Sequence, residues 1–498
     1  MRAMIFFFAS IIVIAVFSTK ITSRFGVPVL LAFIGIGLLV GGDALNLFRF
    51  DNAEATKSIA DILLIFILFV GGFETKRASL KAVAGPALAL STAGVLFTTL
   101  LLGLLIHAVA KYPLDYSLMV AAIISSTDAA AVMMITKAKP IRERVSSTLE
   151  IESAANDPIA IILTLAFVKI VAGQSSTASA LAADLVWELG GGVLVAFALS
   201  HVGRFLFDRL ESENRGYYYV LIIGVILVTY GLADLVKANG IIAVFFMGYW
   251  LGNSEFVFKR GVSNFLEGIS AFANLALFLM LGLLALPHKF AGIWEEGLLI
   301  ASLMIFIVRP LAVLACTLPF KYSWRERLFI MWGGIKGAVP IVLASYPAAY
   351  GLDPEGSIFN IIFFAVLLSC LVQGSTMGPL AKMLKLTVPR KPRSPYSVEL
   401  HSLRKSDTDM FELRIEAGSR ADGGIIRGLG LPKEVLISSI VRHERMLSPR
   451  GSTIVAAEDL LFILAPKGKI QEVSRYLNEP RREISEREAY EMEIERRR

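Results

Sequence analysis

Residues 150–158 read EIESAANDP and lie within an apolar run, 148–172, of membrane-spanning length. An ionisable side chain at that depth costs roughly 2.5–3.5 kcal/mol on insertion scales, so a cluster of them needs a reason. On a helix, Glu152 and Asn156 are four residues apart and share one face, while Ser153 and Asp157 share the next. Pro158 removes a backbone donor and weakens the hydrogen-bond ladder at this point. A second polar stretch, Ser125-Ser126-Thr127-Asp128, sits midway along the preceding run. Together the two stretches predict broken helices near the membrane midplane, where carboxylates, hydroxyls and freed carbonyls surround a small cation. Asp157, Asp128, Thr127 and Ser153 are the candidate ligands, all oxygen donors suited to a hard monovalent ion. The plainer reading, that Asp128 and Asp157 only cap or brace helix ends, has to apply twice in adjacent runs.

The rest of the chain supports a membrane setting. Of 498 residues, 55% are hydrophobic and 18% charged, against about 25% charged in soluble domains. An ordinary soluble enzyme is excluded. The charge is uneven: residues 386–498 are about 35% charged and residues 1–385 only about 14%. Apolar runs of roughly spanning length fall at 3–19, 27–48, 58–73, 82–110, 116–136, 148–172, 180–203, 217–236, 240–252, 264–286, 292–319, 326–350 and 357–380. That predicts about thirteen transmembrane helices. No small-x-small cleavage site follows the first run, which reads as a retained helix. Alternate loops, counted from the first, carry seventeen Lys and Arg; the other set carries five. The positive-inside rule then puts the N-terminus outside and the C-terminus in the cytoplasm.

Other features are weighed against that frame. The net charge of +7 comes without aromatic residues interleaved among basic ones, so nucleic acid is not an expected partner. Cys316 and Cys370 fall in apolar runs and read as inert buried thiols. Arg309 and Lys336 are positive partners at depth, able to neutralise a carboxylate or the carbonyl end of a broken helix. Glu152 is the acid expected to pair with Arg309, as a structural salt bridge. Gly333, Gly334, Gly337 and Pro340 make the twelfth run suited to close packing or interruption. Asp61, Glu74, His107, His201, Asp184, Glu188 and Asp234 lie near run ends and read as interfacial. The Gly-x-Gly at Gly35–Gly37 and at Gly428–Gly430 lacks a full dinucleotide fingerprint, and no P-loop supplies a motor for ATP-driven transport. No nucleophile-and-base constellation points to an enzyme.

After a Pro-rich linker, 386–397, the chain reads as a small α+β domain over 398–480, with strands near Met410–Glu416 and Asp459–Leu464. Glu434–Arg442 reads as a strand or short helix, and Lys469–Leu477 as a helix. The tail, 481–498, is nearly all charged and reads as solvated.

Ser125–Asp128, Glu152–Asp157, Arg309-Pro310 and Gly333–Pro340 (GGIKGAVP) stand in an order that resembles the cation–proton antiporter superfamily, most closely its NhaP-type sodium/proton exchanger branch. The resemblance covers most of residues 1–385. It implies a thirteen-helix, NhaA-like fold with inverted repeats crossing at the ion site, working as a homodimer in the cell inner membrane. It makes Asp157 the exchanging carboxylate, lined by Thr127, Asp128 and Ser153 and braced by Glu152, Asn156 and Arg309. The family often has G-L-R-G where this chain has Gly334-Ile335-Lys336-Gly337. The C-terminal domain is similar to the TrkA-C (RCK-C) module, with a nucleotide-type ligand as a possible effector. Lys336 and this module together resemble the potassium/proton antiporter group. The expectation is therefore competition of a cation, potassium first and sodium, lithium or rubidium after it, with a proton at Asp157. No cofactor is expected. Asn156 stands beside Asp157 where a second acid would add a charge, so exchange is expected to be electroneutral, one for one. The alternative is an RCK-regulated potassium channel, but no T-V-G-Y-G-like filter is present.

Overall fold

The computed structural model describes residues 2–25, 29–41, 53–128, 132, 140–174, 178–388, 407–443 and 445–480. The chain divides into two compact units, Met1–Arg390 and Lys391–Arg498. In the first unit, helix occurs in every one of the thirteen apolar runs. Among the described residues, seven helical stretches are long and apolar enough to cross a membrane by length and composition.

Two bundles make up this unit. The first contains α1 (Arg2–Phe25), α2 (Val29–Val40) and α3 (Ala53–Glu74), then, after a long gap in sequence, four later helices. To number in chain order, α4 (Arg77–Ala89) runs through a π turn into α5 (Val95–Ala110), followed by α6 (Leu114–Ile123) and α7 (Glu143–Val171). The four helices of the first bundle are then α8 (Ala178–Arg209), α9 (Gly216–Leu235), α10 (Gly240–Gly252) and α11 (Lys259–Leu284). The second bundle joins α4–α7 to α12 (Pro287–Leu303), α13 (Arg309–Thr317), α14 (Trp324–Trp332), α15 (Ala338–Leu343), α16 (Tyr346–Ala349), α17 (Ser357–Ser369) and α18 (Ser375–Met383).

Small residues let the helices of the first bundle meet at backbone distance, as bilayer packing requires when apolar burial gives no drive. Across α3 and α10, a Cβ on Gly72 would collide with the Phe245 carbonyl, and one on Gly248 with the Phe69 carbonyl. Large apolar side chains such as Val186, Leu194 and Val220 point outward from α8 and α9, the pattern of a lipid-facing surface.

The interruptions differ in place from one sequence expectation. Pro158 does not break α7, which continues to Val171. A proline costs one helical hydrogen bond and a ring clash, and packing on both sides of this buried helix carries it through. The helix breaks fall instead at 124–128, after α6, and at 333–337, between α14 and α15. The remainder of the fifth run, 129–131 and 133–139, lies outside the described residues.

Leu386–Val388, read in sequence as the start of the linker, are held on the membrane unit. Arg142 N–H donates to the Leu386 carbonyl (3.0 Å), and Val388 N–H to the Pro140 carbonyl (2.9 Å). The rest of the linker and the charged tail lie outside the described residues.

The second unit is a four-stranded antiparallel sheet in the order β1-β4-β2-β3. The strands are β1 (Thr408–Arg414), β2 (Leu436–Arg442), β3 (Arg445–Leu447) and β4 (Leu460–Pro466), followed by the helix α19 (Ile470–Asn478). Ile440, Ile463, Val473 and Leu477 bury its core. Of the segment 434–442, read as a strand or short helix, 436–442 is the strand β2 and Glu434 lies in the turn before it. β3 has no counterpart in the sequence reading, because three residues are too few to show alternation.

Replacing Gly248 with alanine should lower the melting temperature of the detergent-solubilised protein by several degrees, since overpacking typically costs about 1–3 kcal/mol. Gly224→Ala, with open space around its Cβ position, should leave it unchanged or raise it.

Candidate ion site

The two helix breaks cross. Asp128 N–H donates to the Ile335 carbonyl (2.8 Å), joining one unwound segment to the other. Lys336 Nζ donates to the carbonyls of Ser125 (3.1 Å) and Ser126 (3.0 Å), just past the C-terminal end of α6. Those carbonyls lie beside the negative end of the α6 dipole, so an ammonium group suits them. The opposite arrangement holds at α15. The Asp128 side chain packs against Gly337, the residue capping the N-terminal end of α15, and any Cβ there would strike it. Each broken end thus meets the charge that its dipole favours, and buried Lys336, 2% exposed, is compensated.

Three of the freed backbone groups, at Trp332 and Lys336, are satisfied from α17 and the turn after it. Lys336 N–H donates to Ser369 Oγ (3.2 Å), whose hydroxyl donates to Gln373 Oε1 (2.6 Å). Gln373 Nε2 donates to the Trp332 carbonyl (3.0 Å), and the Cys370 thiol to the Lys336 carbonyl (2.8 Å). Cys370 is therefore part of the scaffold under the crossing rather than inert filling. Cys316 is likewise buried and free of any disulfide.

Helix α7 lies alongside, and Asn156, expected to share the face of Glu152, is turned with Ser153 toward Thr127. Thr127 Oγ1 and Ser153 Oγ are 2.7 Å apart, and Asn156 Nδ2 donates to Thr127 Oγ1 (2.7 Å). Glu152 takes the other face and forms a bidentate pair with Arg309, through Nη1 to Oε1 and Nη2 to Oε2. Arg309 Nη2 also donates to the Ile330 carbonyl (3.2 Å), and Gly334 leaves room for its guanidinium. Asp157 is buried, and its Oδ1 has no hydrogen-bond partner among the described residues. Beside it, Ala154 loses its usual helical donor, because residue 158 is proline.

A cavity of about 100 Å³ reaches this carboxylate. One wall is the second bundle: Thr127, Asp128, Ala154, Asp157 and Gly337–Pro340. The facing wall is the first bundle, with Leu64–Glu74 of α3, Phe245 of α10, and Ser270 and Asn274 of α11. The cavity runs from Glu74, which is exposed, to Leu64, which is fully buried. One turn beyond Leu64 the two bundles are tied, by the Tyr346 hydroxyl donating to Asp61 Oδ1 (3.2 Å). The site is thus open at the Glu74 end and closed at the Asp61 end.

All eight residues singled out in sequence gather here. Two of the residues read as interfacial border this cavity: Glu74 lines its exposed end, and Asp61 lies one turn beyond its buried end. Their position near run ends hid this, since the cavity itself extends to the run ends. Glu188 instead pairs with Lys169 (2.9 Å) between α7 and α8. Ser270 and Asn274, Ser369 and Gln373 carry no motif, and only the polarity of side chains within apolar runs could have marked them.

The fold and both units have known relatives. The family model described as the transmembrane sodium/hydrogen exchanger matches residues 9–383, and the TrkA-C domain model matches residues 410–478. The K(+)/H(+) antiporter NhaP2 of Shewanella sp. strain MR-4 is 34% identical, over 94% of this chain and 82% of its own. The K(+)/H(+) antiporter NhaP of Alkalimonas amylolytica is 31% identical, over 93% and 81%. Among solved structures, the sodium proton antiporter MjNhaP1 of Methanocaldococcus jannaschii superposes with a TM-score of 0.68 at 25% identity, covering 77% of this chain and 99% of that one.

Removing one partner of a buried ion pair strands the other. Arg309→Gln should destabilise the protein by roughly 3–5 kcal/mol, read as a loss of melting temperature in detergent. The double variant Glu152→Gln/Arg309→Gln should recover most of that loss.

Proposed function

The chain belongs to the sodium/hydrogen exchanger family, and from that premise we propose that it exchanges a monovalent cation, potassium first, for a proton across the cell inner membrane. The observation that carries this reading is Asp157: a buried carboxylate with one oxygen unbonded, at the depth of a cavity open at one end only. Such a group binds a proton or a cation, and not both. Occupancy by either neutralises it and lets the two bundles move past one another, so that the site faces one side and then the other. In the opposite state the Glu74 end closes, and the Tyr346–Asp61 bond breaks to open the other.

Charge bookkeeping supports one-for-one exchange. Glu152 is matched by Arg309, and Asp128 shares the crossing with Lys336. Asp157 remains as the acid that needs a counter-charge, and the neighbouring position, Asn156, is neutral. The potassium preference is supported by the names of the Shewanella and Alkalimonas relatives. Family membership removes the ground for the potassium-channel alternative. With the N-terminus outside, as loop charges favour, the Glu74 mouth and the TrkA-C unit are cytoplasmic. That unit binds a small nucleotide-type ligand and biases exchange, and the protein works as a homodimer.

In proteoliposomes, Asp157→Asn should abolish cation-driven proton movement while leaving the melting temperature near that of the parent. Retained exchange in that variant rules out the proposed carrier. An imposed potential of about 100 mV acts on each uncompensated charge with roughly 2.3 kcal/mol, yet should leave the exchange rate within about twofold.

A further inference from the structure

The wall that faces Asp157 is not purely apolar. Ser270 and Asn274 are four residues apart on α11, so they share one helix face, and both line the cavity. The segment after them, Leu275–Leu284, is apolar except for its backbone. An asparagine inside such a helix normally reaches a neighbouring helix for its hydrogen bonds. Asn274 does not. Its Nδ2 turns back to the Ser270 carbonyl (2.9 Å) and toward Ser270 Oγ (3.4 Å). A carbonyl only accepts, so the nitrogen must be the branch that faces it. The other branch, Oδ1, accepts no hydrogen bond among the described residues and is left to the cavity.

On the Asp157 side the Thr127, Ser153 and Asn156 side chains are already engaged with one another, which leaves the Ala154 carbonyl as the neutral oxygen lining that wall. Thr127 and Ser153 share a hydrogen bond, and Asn156 is bonded to Thr127. A cation entering from Glu74 therefore meets an acid on one wall and an amide oxygen with a hydroxyl on the other.

We propose that Asn274 and Ser270 supply the neutral half of the cation's coordination shell and set the preference for larger, weakly hydrated monovalent ions. The proposal rests on Asp157 as the cation site and adds which ion it takes. A lone carboxylate is a strong-field ligand and favours lithium and sodium. Neutral dipoles added opposite it raise the number of ligands and lower the average field, which favours potassium and rubidium. Because these ligands belong to the first bundle and Asp157 to the second, only a correctly sized ion is held by both.

The test compares potassium, rubidium, sodium and lithium as drivers of proton movement in proteoliposomes, with cation-dependent thermal stabilisation in detergent as a second reading that needs no transport. Asn274→Ala should raise the apparent KM for potassium and rubidium roughly tenfold, the equivalent of one lost contact. Sodium and lithium should change by no more than about twofold. Asn274→Asp, which puts a strong field at the same place, should shift preference toward sodium and lithium, and Ser270→Ala should act as a weaker Asn274→Ala. A purely structural role would weaken all four ions alike. An unchanged potassium-to-sodium ratio in both Asn274 variants, by either reading, overturns the proposal and leaves antiport at Asp157 intact. Exchange that survives in Asp157→Asn sinks the underlying reading instead.

Discussion

Lys336 holds its ammonium against two backbone carbonyls at a depth where no water competes for them. A membrane tolerates unwound backbone only where something other than lipid satisfies it, and this chain unwinds twice at one point. The lysine answers for the end of α6, the Asp128 carboxylate sits at the start of α15, and the Asp128 N–H to Ile335 bond ties the two segments together. Ser369, Cys370 and Gln373 take up three more of the freed groups. With those costs met locally, Asp157 can be left unsatisfied on purpose.

The separation of the molecule into two bundles gives that acid its use. Every acid and base at the crossing belongs to the second bundle, while the first offers a mostly apolar α3 face with Glu74 at its exposed end, one amide and one hydroxyl. Among the described residues the bundles are tied across their seam at a few points, by the Tyr346–Asp61 bond, the Lys169–Glu188 pair and the Arg77 N–H to Asn253 bond, and the cavity walls themselves carry little hydrogen bonding to break. The first bundle is internally tight, since Gly72, Gly248 and Gly252 bring α3 and α10 to backbone contact. Two rigid bodies with a weak seam are what relative motion requires.

Much of this was legible from sequence, for a plain physical reason. Charges within apolar runs are costly, so Glu152, Asp157, Arg309 and Lys336 announce themselves, and helical spacing separates Glu152 from Ser153 on α7. What was not legible depends on tertiary pairing. Nothing local says that α7 absorbs Pro158 while 124–128 unwinds, because the deciding factor is which neighbour satisfies the backbone. That Glu74 and Asp61 border a cavity was not visible because sequence measures depth along one helix, whereas the cavity lies between bundles. Ser369 and Gln373 are ordinary polar residues until the groups they serve are in view. In the C-terminal unit, the longer strands and the helix followed from alternation and period, and the three-residue β3 fell below that signal.

Pro140–Arg142 and Leu386–Val388 form a small antiparallel patch on the membrane unit. Arg142, within it, also reaches Glu326 (3.4 Å), whose carboxylate closes the capping box that starts α14. The patch is therefore a shared root for the helix carrying Asp157 and for the one leading to Lys336. Whatever displaces Leu386–Val388 therefore pulls on the starts of α7 and α14 together, and so on Asp157 and on the break that carries Lys336.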